Sequence, residues 1–192
     1  MSLFQAVELF GFATGLVGVW LAIKQHTLCW LIGMLNVLTY CVVFSKVNLY
    51  SDMLLQGIYF VILAYGWYHW QTKHKELLPT TTSPMYLLLL LVSAVLFGGA
   101  WGAMMQYCFK ASNPYIDALA FAVSLVAQAL QTHKKIETWW LWGLANTLYI
   151  ALYIDKQLYL TAVLYSVYLA LAVYGYTVWK LKMEHKSSIK NI

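Results

Sequence analysis

The stretch Glu137-Thr-Trp-Trp-Leu-Trp-Gly-Leu-Ala-Asn-Thr-Leu-Tyr149 decides how the chain is read. A cluster of Trp with one Asn and one Tyr, set in an apolar run, needs a physical reason. On an α-helix Trp139, Trp142, Asn146 and Tyr149 fall at i, i+3, i+7 and i+10 and share one face. That face offers flat π surface and an amide that both donates and accepts hydrogen bonds. A planar polar or cationic ring fits it. Two plainer readings compete. Trp139 and Trp140, beside Lys134, Lys135 and Glu137, suit the aromatic belt of a membrane span, and Asn146 suits a helix–helix hydrogen bond.

The stretch has a partner upstream. A shift of 110 residues lays Thr14 on Ser124, Lys24 on Lys134, Trp30 on Trp140 and Asn36 on Asn146. After a one-residue gap the shift is 109, and Leu49-Tyr50 meets Leu158-Tyr159. At the same shift of 109, Tyr59 meets Tyr168, Tyr65-Gly66-Trp67 meets Tyr174-Gly175-Tyr176, and Trp70 meets Trp179. Matches over three consecutive apolar runs point to an internal repeat.

Composition says what kind of protein repeats. Of 192 residues, 62% are hydrophobic and 10% charged, with a mean hydropathy of +0.66. Soluble domains are nearer half apolar and a quarter charged, so this is read as a polytopic, all-α membrane protein. A span needs about 20 apolar residues, and runs at 3–23, 27–45, 53–70, 85–109, 115–132, 138–154 and 159–179 give seven candidates. The fourth, with Leu87 to Leu91 and then Gly98, Gly99 and Gly102, has no partner in the repeat. The expected organisation is therefore 3+1+3: a first triplet over 1–70, a loop and linker helix over 71–114, a second triplet over 115–179, and a Lys-rich tail over 180–192. An odd linker lets both triplets keep one orientation, as parallel repeats.

All twelve basic residues are Lys, lying between or after the apolar runs rather than on one basic face, so nucleic acid is not the partner they suggest. Counted as topology signals, nine (Lys24, Lys73, Lys75, Lys134, Lys135, Lys180, Lys182, Lys186, Lys190) fall on the C-terminal side, against Lys46, Lys110 and Lys156 opposite. The C-terminus is expected in the cytoplasm and the N-terminus outside. The start of the chain lacks a basic region and a small-x-small cleavage site, and reads as a retained span. Cys29, Cys41 and Cys108 show no ligand spacing and read as packing residues.

Lys-Lys-Ile-Glu-x-Trp-x-x-Trp-x-x-x-Asn over 134–146, Leu-Tyr at 49–50 and Tyr-Gly-Trp-Tyr-x-Trp over 65–70 resemble the Pnu family of bacterial vitamin transporters. The resemblance covers nearly the whole chain. It implies facilitated diffusion through a bacterial inner-membrane homotrimer whose protomer has the 3+1+3 plan of the SWEET sugar transporters. It also implies a vitamin or vitamin precursor, nicotinamide riboside first and thiamine or a related B-vitamin such as riboflavin as the alternative, trapped afterwards by a cytoplasmic vitamin kinase. Tyr149 stands at the motif's last aromatic position, where several members have Trp, so which vitamin is the substrate stays open.

In a repeat-built transporter the site is expected near the midplane, and a polar group facing lipid there costs several kcal/mol. The substrate-binding candidates are Asn36 and Asn146, Trp139, Trp142 and Tyr149, with Asp117, Ser124 and Gln128 on one face of the fifth run. Gln56 and Tyr59 in the third run and Tyr168 in the seventh complete the set, with Tyr165 behind Tyr168. Glu8 and Asp117 lie just inside spans near the outer face, where fixed negative charge would gather a cation. No Gly-rich phosphate loop, HExxH, His/Cys cluster or Ser–His pair at membrane depth is present. The sequence therefore calls for no cofactor, no catalytic residue and no metal.

Overall fold

The computed structural model describes the backbone of residues 3–46, 50–72, 78–109 and 113–190, and the side chains of 10–42, 56–72, 78–108 and 113–185. The side chains of Glu8, Lys46, Lys186 and Lys190, and all of Leu49, Lys73, Lys75 and Lys110, lie outside the described residues.

The described chain is helical: α1 (Leu3–Ile23), α2 (Leu28–Lys46), α3 (Tyr50–Thr72), α4 (Pro84–Phe109), α5 (Pro114–Thr132), α6 (Thr138–Asp155) and α7 (Tyr159–Lys190). Among described residues, Pro84–Cys108, Pro114–Thr132 and Tyr159–His185 are long and apolar enough to cross a membrane, and Phe10–Ile23 and Leu28–Val42 are shorter apolar helices. α7 runs on past its apolar stretch, through the Lys-rich tail to Lys190. At 1.5 Å per residue its 32 residues span about 48 Å, more than a hydrocarbon core.

The chain forms two compact units, Met1–Leu77 and Leu78–Ile192. In the first, α2 packs against both α1 and α3. α1 ends in a Schellman turn: Gln25 takes the left-handed conformation (φ 59°), its N–H donates to Ala22 O, and His26 N–H donates to Leu21 O. Trp30 then enters α2 and lies under Gly66 of α3. A Cβ at Gly66 would stand 2.3 Å from the indole, and Trp30 meets Trp70 edge to face at 5.2 Å.

In the second unit α5 packs between α4 and α6, and α6 against α7. Gly98 and Gly102 let α4 approach the α5 backbone: their added Cβ atoms would stand 3.2 Å from Leu119 Cα and 3.1 Å from Tyr115 Cα. The core is Val123, Ala127 and Leu130 of α5 with Leu141 and Ala145 of α6, covered by Leu87, Leu90 and Leu91 of α4. Thr138 Oγ1 donates to Ala127 O at 2.7 Å across the same contact. The segment before α4 is pinned to the α5–α6 turn, where Glu137 accepts from Thr82 N–H (2.8 Å) and Thr82 Oγ1 (3.0 Å). Thr80 N–H donates to Lys134 O beside it.

The α5–α6 turn reproduces the α1–α2 turn at a constant shift of 109. Lys134 (φ 49°) stands for Gln25, and Lys134 N–H to Gln131 O and Lys135 N–H to Leu130 O repeat the Schellman bonds. Trp139 lies under Gly175, whose added Cβ would stand 2.6 Å from the ring, and meets Trp179 at 5.3 Å. The structural partner of Trp30 is therefore Trp139 and not Trp140. Burial decides it: Trp30 is 1% and Trp139 3% exposed, while Trp140 is 64% exposed.

The corrected register separates the two asparagines. Asn36 now corresponds to Ala145, and Asn146 to Val37. Asn36 Nδ2 donates to Thr14 Oγ1 (2.7 Å) and Gly11 O (3.3 Å) of α1. Thr14 corresponds to Val123, so this hydrogen bond holds the place of the Val123–Ala145 core contact in the second unit.

Candidate functional site

Polar side chains in the second unit collect on the α6 surface that lies between its contacts with α5 and α7. Counting from Ala145, which faces α5, and Gly143, which faces Leu169 of α7, helical periodicity puts Trp142, Asn146, Tyr149 and Tyr153 between the two. On α5 the residues one step round from the core positions Val123 and Ala127 are Ser124 and Gln128.

Two of these side chains are largely covered and uncommitted. Asn146 is 5% and Gln128 7% exposed, and neither amide makes a hydrogen bond among the described residues. Each amide can offer both a donor and an acceptor to a ligand.

Neighbouring polar groups are already committed. Ser124 Oγ donates to Ala120 O at 2.8 Å, leaving only acceptor capacity. Trp142 Nε1 donates to the buried Gln131 Oε1 at 2.9 Å, which fixes the indole plane. Gln131 was not singled out in the sequence; its position one turn beyond Gln128 was the available signal.

Toward the far end of α6 the site is closed by tyrosines. Tyr149 and Tyr153 stack at 6.0 Å with planes 22° apart, and each meets Tyr165 of α7 at 5.0 Å. Tyr168 meets Tyr165 edge to face at 5.6 Å. Asp117, near the start of α5, lies toward the same end of the α5–α6 pair. Asp117 itself is exposed, in the first turn of α5. At that end Asn113 Nδ2 donates to Asp155 Oδ2, tying the start of α5 to the end of α6. Tyr153 continues the Trp142–Asn146–Tyr149 face by one more turn, a spacing legible in the sequence but not used.

The remaining candidates are placed elsewhere. Trp139 packs on Gly175 and Trp179, and its buried Nε1 makes no hydrogen bond among the described residues. Asn36 bridges α2 to α1 through its amide nitrogen. Gln56 and Tyr59 are half-buried in α3 of the first unit. Among the described residues no three His, Cys, Asp or Glu side chains gather in a way that could hold a metal ion.

What remains is a lining of ring faces and two uncommitted amides, with an exposed carboxylate toward its tyrosine end. It carries no cation: the chain has no Arg, and no Lys lies between Lys110 and Lys134, Lys135 and Lys156, or Lys156 and Lys180. The arrangement can hold a flat, hydrogen-bonding, positively charged molecule.

The pattern that defines the nicotinamide mononucleotide transporter family matches residues 5–181. The chain is similar to the protein named nicotinamide riboside transporter PnuC of Escherichia coli (strain K12), 26% identical over 90% of this chain and 84% of that one. It is likewise similar to the protein of that name from Neisseria mucosa, 28% identical over 90% of this chain and 71% of that one. Among solved structures it resembles the crystal structure of the vitamin B3 transporter PnuC, with a TM-score of 0.76 and 23% identity. That likeness covers 94% of this chain and 83% of the other.

Proposed function

We propose, for a chain that belongs to the nicotinamide mononucleotide transporter family, that it moves nicotinamide riboside across the membrane by facilitated diffusion. The observation that carries this reading is the pair of largely covered, uncommitted amides, Asn146 and Gln128, with Trp142 and Tyr149 on the same α6 face as Asn146. A nicotinamide ring is flat and cationic in the riboside, and its carboxamide needs both a donor and an acceptor. The relatives named as nicotinamide riboside transporters support the same substrate.

The charge inventory separates the riboside from its phosphorylated form. A phosphate brings up to two negative charges and calls for Arg or Lys, and α5, α6 and the first 21 residues of α7 supply neither. Asp117 would repel it. The riboside is the better fit.

The fuller reading is an inner-membrane protein with 3+1+3 parallel repeats, N-terminus outside, C-terminus in the cytoplasm, assembled as a homotrimer. The constant shift of 109 between the two Trp–Gly–Trp clusters supports the repeat, and the Lys count supports the orientation. Transport is uncoupled, the gradient being maintained by a cytoplasmic kinase that phosphorylates the arriving riboside.

Calorimetric titration of the purified protein with nicotinamide riboside, its 5′-phosphate and thiamine tests the substrate. Binding of the riboside with neither of the others is the expected result. Thiamine shares the flat cation but lacks the carboxamide, and its preferential binding would reassign the site. Counterflow in proteoliposomes should proceed without a proton or sodium gradient, and accumulation abolished by an ionophore would exclude uncoupled transport.

A further inference from the structure

We infer that Gln131 is a positioning residue of the site, whose side-chain oxygen holds the Trp142 indole so that its face, and not its edge, meets a flat cation. The inference rests on the reading of the site given above.

The hydrogen bond is the first argument. An indole N–H can only donate, so the 2.9 Å bond from Trp142 Nε1 sets which way the Gln131 amide is turned, with its oxygen toward the ring. Gln131 stands in the last turn of α5, and side chains on α6 lean toward its N-terminal turn, which brings the indole to it. Gln131 is 8% exposed, so little water competes for the bond. Trp142 is also packed, partly buried, against the core of Val123, Ala127, Leu130, Leu141 and Ala145. Held at its N–H and backed by that core, the ring keeps one orientation.

The repeat is the second. At the shift of 109 Gln131 falls on Ala22 and Trp142 on Gly33, so the first unit cannot make this bond. Gln128 and Asn146 likewise fall on Val19 and Val37. What the two units share is scaffold: the Schellman turn and the Trp–Gly–Trp contact. The Gln131–Trp142 bond goes instead with the polar residues that only the second unit has. Room for the ring comes from a matching exchange. In the first unit a Cβ at Gly33 would stand 3.2 Å from Leu63 of α3, and the counterpart of Leu63 in α7 is Ala172.

Charge is the third. An aromatic ring is negative on its faces and positive at its edge, and a cation is attracted to the face. Released from Gln131, the indole can tip its N–H edge toward the ligand. That edge repels a cation and matters little to an uncharged analogue.

Calorimetric titration of the full chain with nicotinamide riboside and its uncharged reduced form tests this. Gln131→Met keeps the length of the side chain and removes the acceptor. It should weaken binding of the riboside about two- to tenfold and of the reduced form less, so the preference for the cation shrinks. Gln131→Glu keeps an oxygen at the same reach, ionised or protonated, and should bind the riboside as wild type does. In Trp142→Phe there is no N–H to hold, so adding Gln131→Met should cost nothing further. The Trp142 indole proton, assigned in magnetic resonance spectra by its absence from Trp142→Phe, should shift upfield in Gln131→Met and stay in place in Gln131→Glu. Losses that multiply in the double variant would make Gln131 a ligand contact in its own right and overturn the assignment. If wild type binds the riboside and Gln131→Met matches it with only a lowered melting temperature, Gln131 is a packing residue and the positioning role alone fails. If wild type binds neither probe, the proposed function fails and the positioning role with it.

Discussion

Trp139 meets Trp179 edge to face, ring centroids 5.3 Å apart and planes at 87°. The contact exists because Gly175, one turn earlier on α7, has no side chain: a Cβ there would stand 2.6 Å from three atoms of the Trp139 ring. Trp179 is 0% exposed, so it has no room to yield. The same triangle, Trp30, Gly66 and Trp70, closes the first unit.

Gly175→Ala and Gly66→Ala should each destabilise the protein by about 1–3 kcal/mol, the usual cost of overpacking a filled core. Gly99 and Gly57 have nothing within 4 Å of an added Cβ, and there the same change should be neutral or slightly stabilising, since Ala is the better helix former. Thermal unfolding in detergent compares the four. Equal effects at all four positions would show that the Trp triangles bear no load.

Gln157 takes the left-handed conformation (φ 58°) at the end of α6. Its N–H donates to Ile154 O, and Leu158 N–H to Tyr153 O, so it fills a position where Gly is the usual residue. A side chain in that conformation costs roughly 1–2 kcal/mol, partly offset by the greater chain entropy of Gly. Gln157→Gly should therefore raise the melting temperature, by about 2–4 °C if the net gain is about 1 kcal/mol. A lower melting temperature would mean that the exposed Gln157 side chain contributes more than its backbone costs.

Helix positions were legible because a bilayer sets a minimum length that composition must meet. The expected runs 27–45 and 138–154 became Leu28–Lys46 and Thr138–Asp155. α7 outran its expected end at 179 because hydropathy stops there while helix-forming residues continue, aided by the Lys180–Glu184 pair at 3.9 Å. The repeat was visible, but its register at Trp30 was not. With Trp at 139, 140 and 142, identity alone cannot choose, and only burial does. Asn36 and Asn146 followed that misstep: equal letters one position apart on a helix point about 100° apart. The tyrosine cluster was half legible, since Tyr149 and Tyr168 have motif or repeat partners, whereas Tyr153 becomes notable only beside Tyr165.

Glu137 fastens the segment before α4 by accepting from the N–H and the hydroxyl of Thr82. Glu137→Ala leaves that N–H without its charged acceptor, a loss of about 1.5–3 kcal/mol for a hydrogen bond to an ionised group. Hydrogen exchange at the Thr82 amide should quicken by roughly one to two orders of magnitude. Thr80 N–H, bonded to Lys134 O, should follow to a smaller extent. Unchanged protection of Thr82 in the variant would show that the segment is held by the backbone bridge between Thr80 and Lys135 instead.

Asn36 and Asn146 should respond oppositely to the same substitution. Asn36 donates to α1 at 2.7 and 3.3 Å, so Asn36→Leu removes an interhelical hydrogen bond. In membrane proteins that is worth about 0.6 kcal/mol on average and up to about 1.7, and the loss should appear as a lower melting temperature. Asn146 has no hydrogen-bond partner among the described residues and is 5% exposed. Asn146→Leu therefore takes no hydrogen bond from the free protein, which should be as stable as wild type or more so. What it removes is the partner of a polar ligand in a desolvated site, at a cost of about 1–3 kcal/mol, or roughly five- to 150-fold in Kd. Calorimetric titration with nicotinamide riboside and a melting curve on each variant give the four numbers needed. A wild-type Kd with a lowered melting temperature for Asn146→Leu would make this residue a helix–helix contact and take the α6 face out of the site.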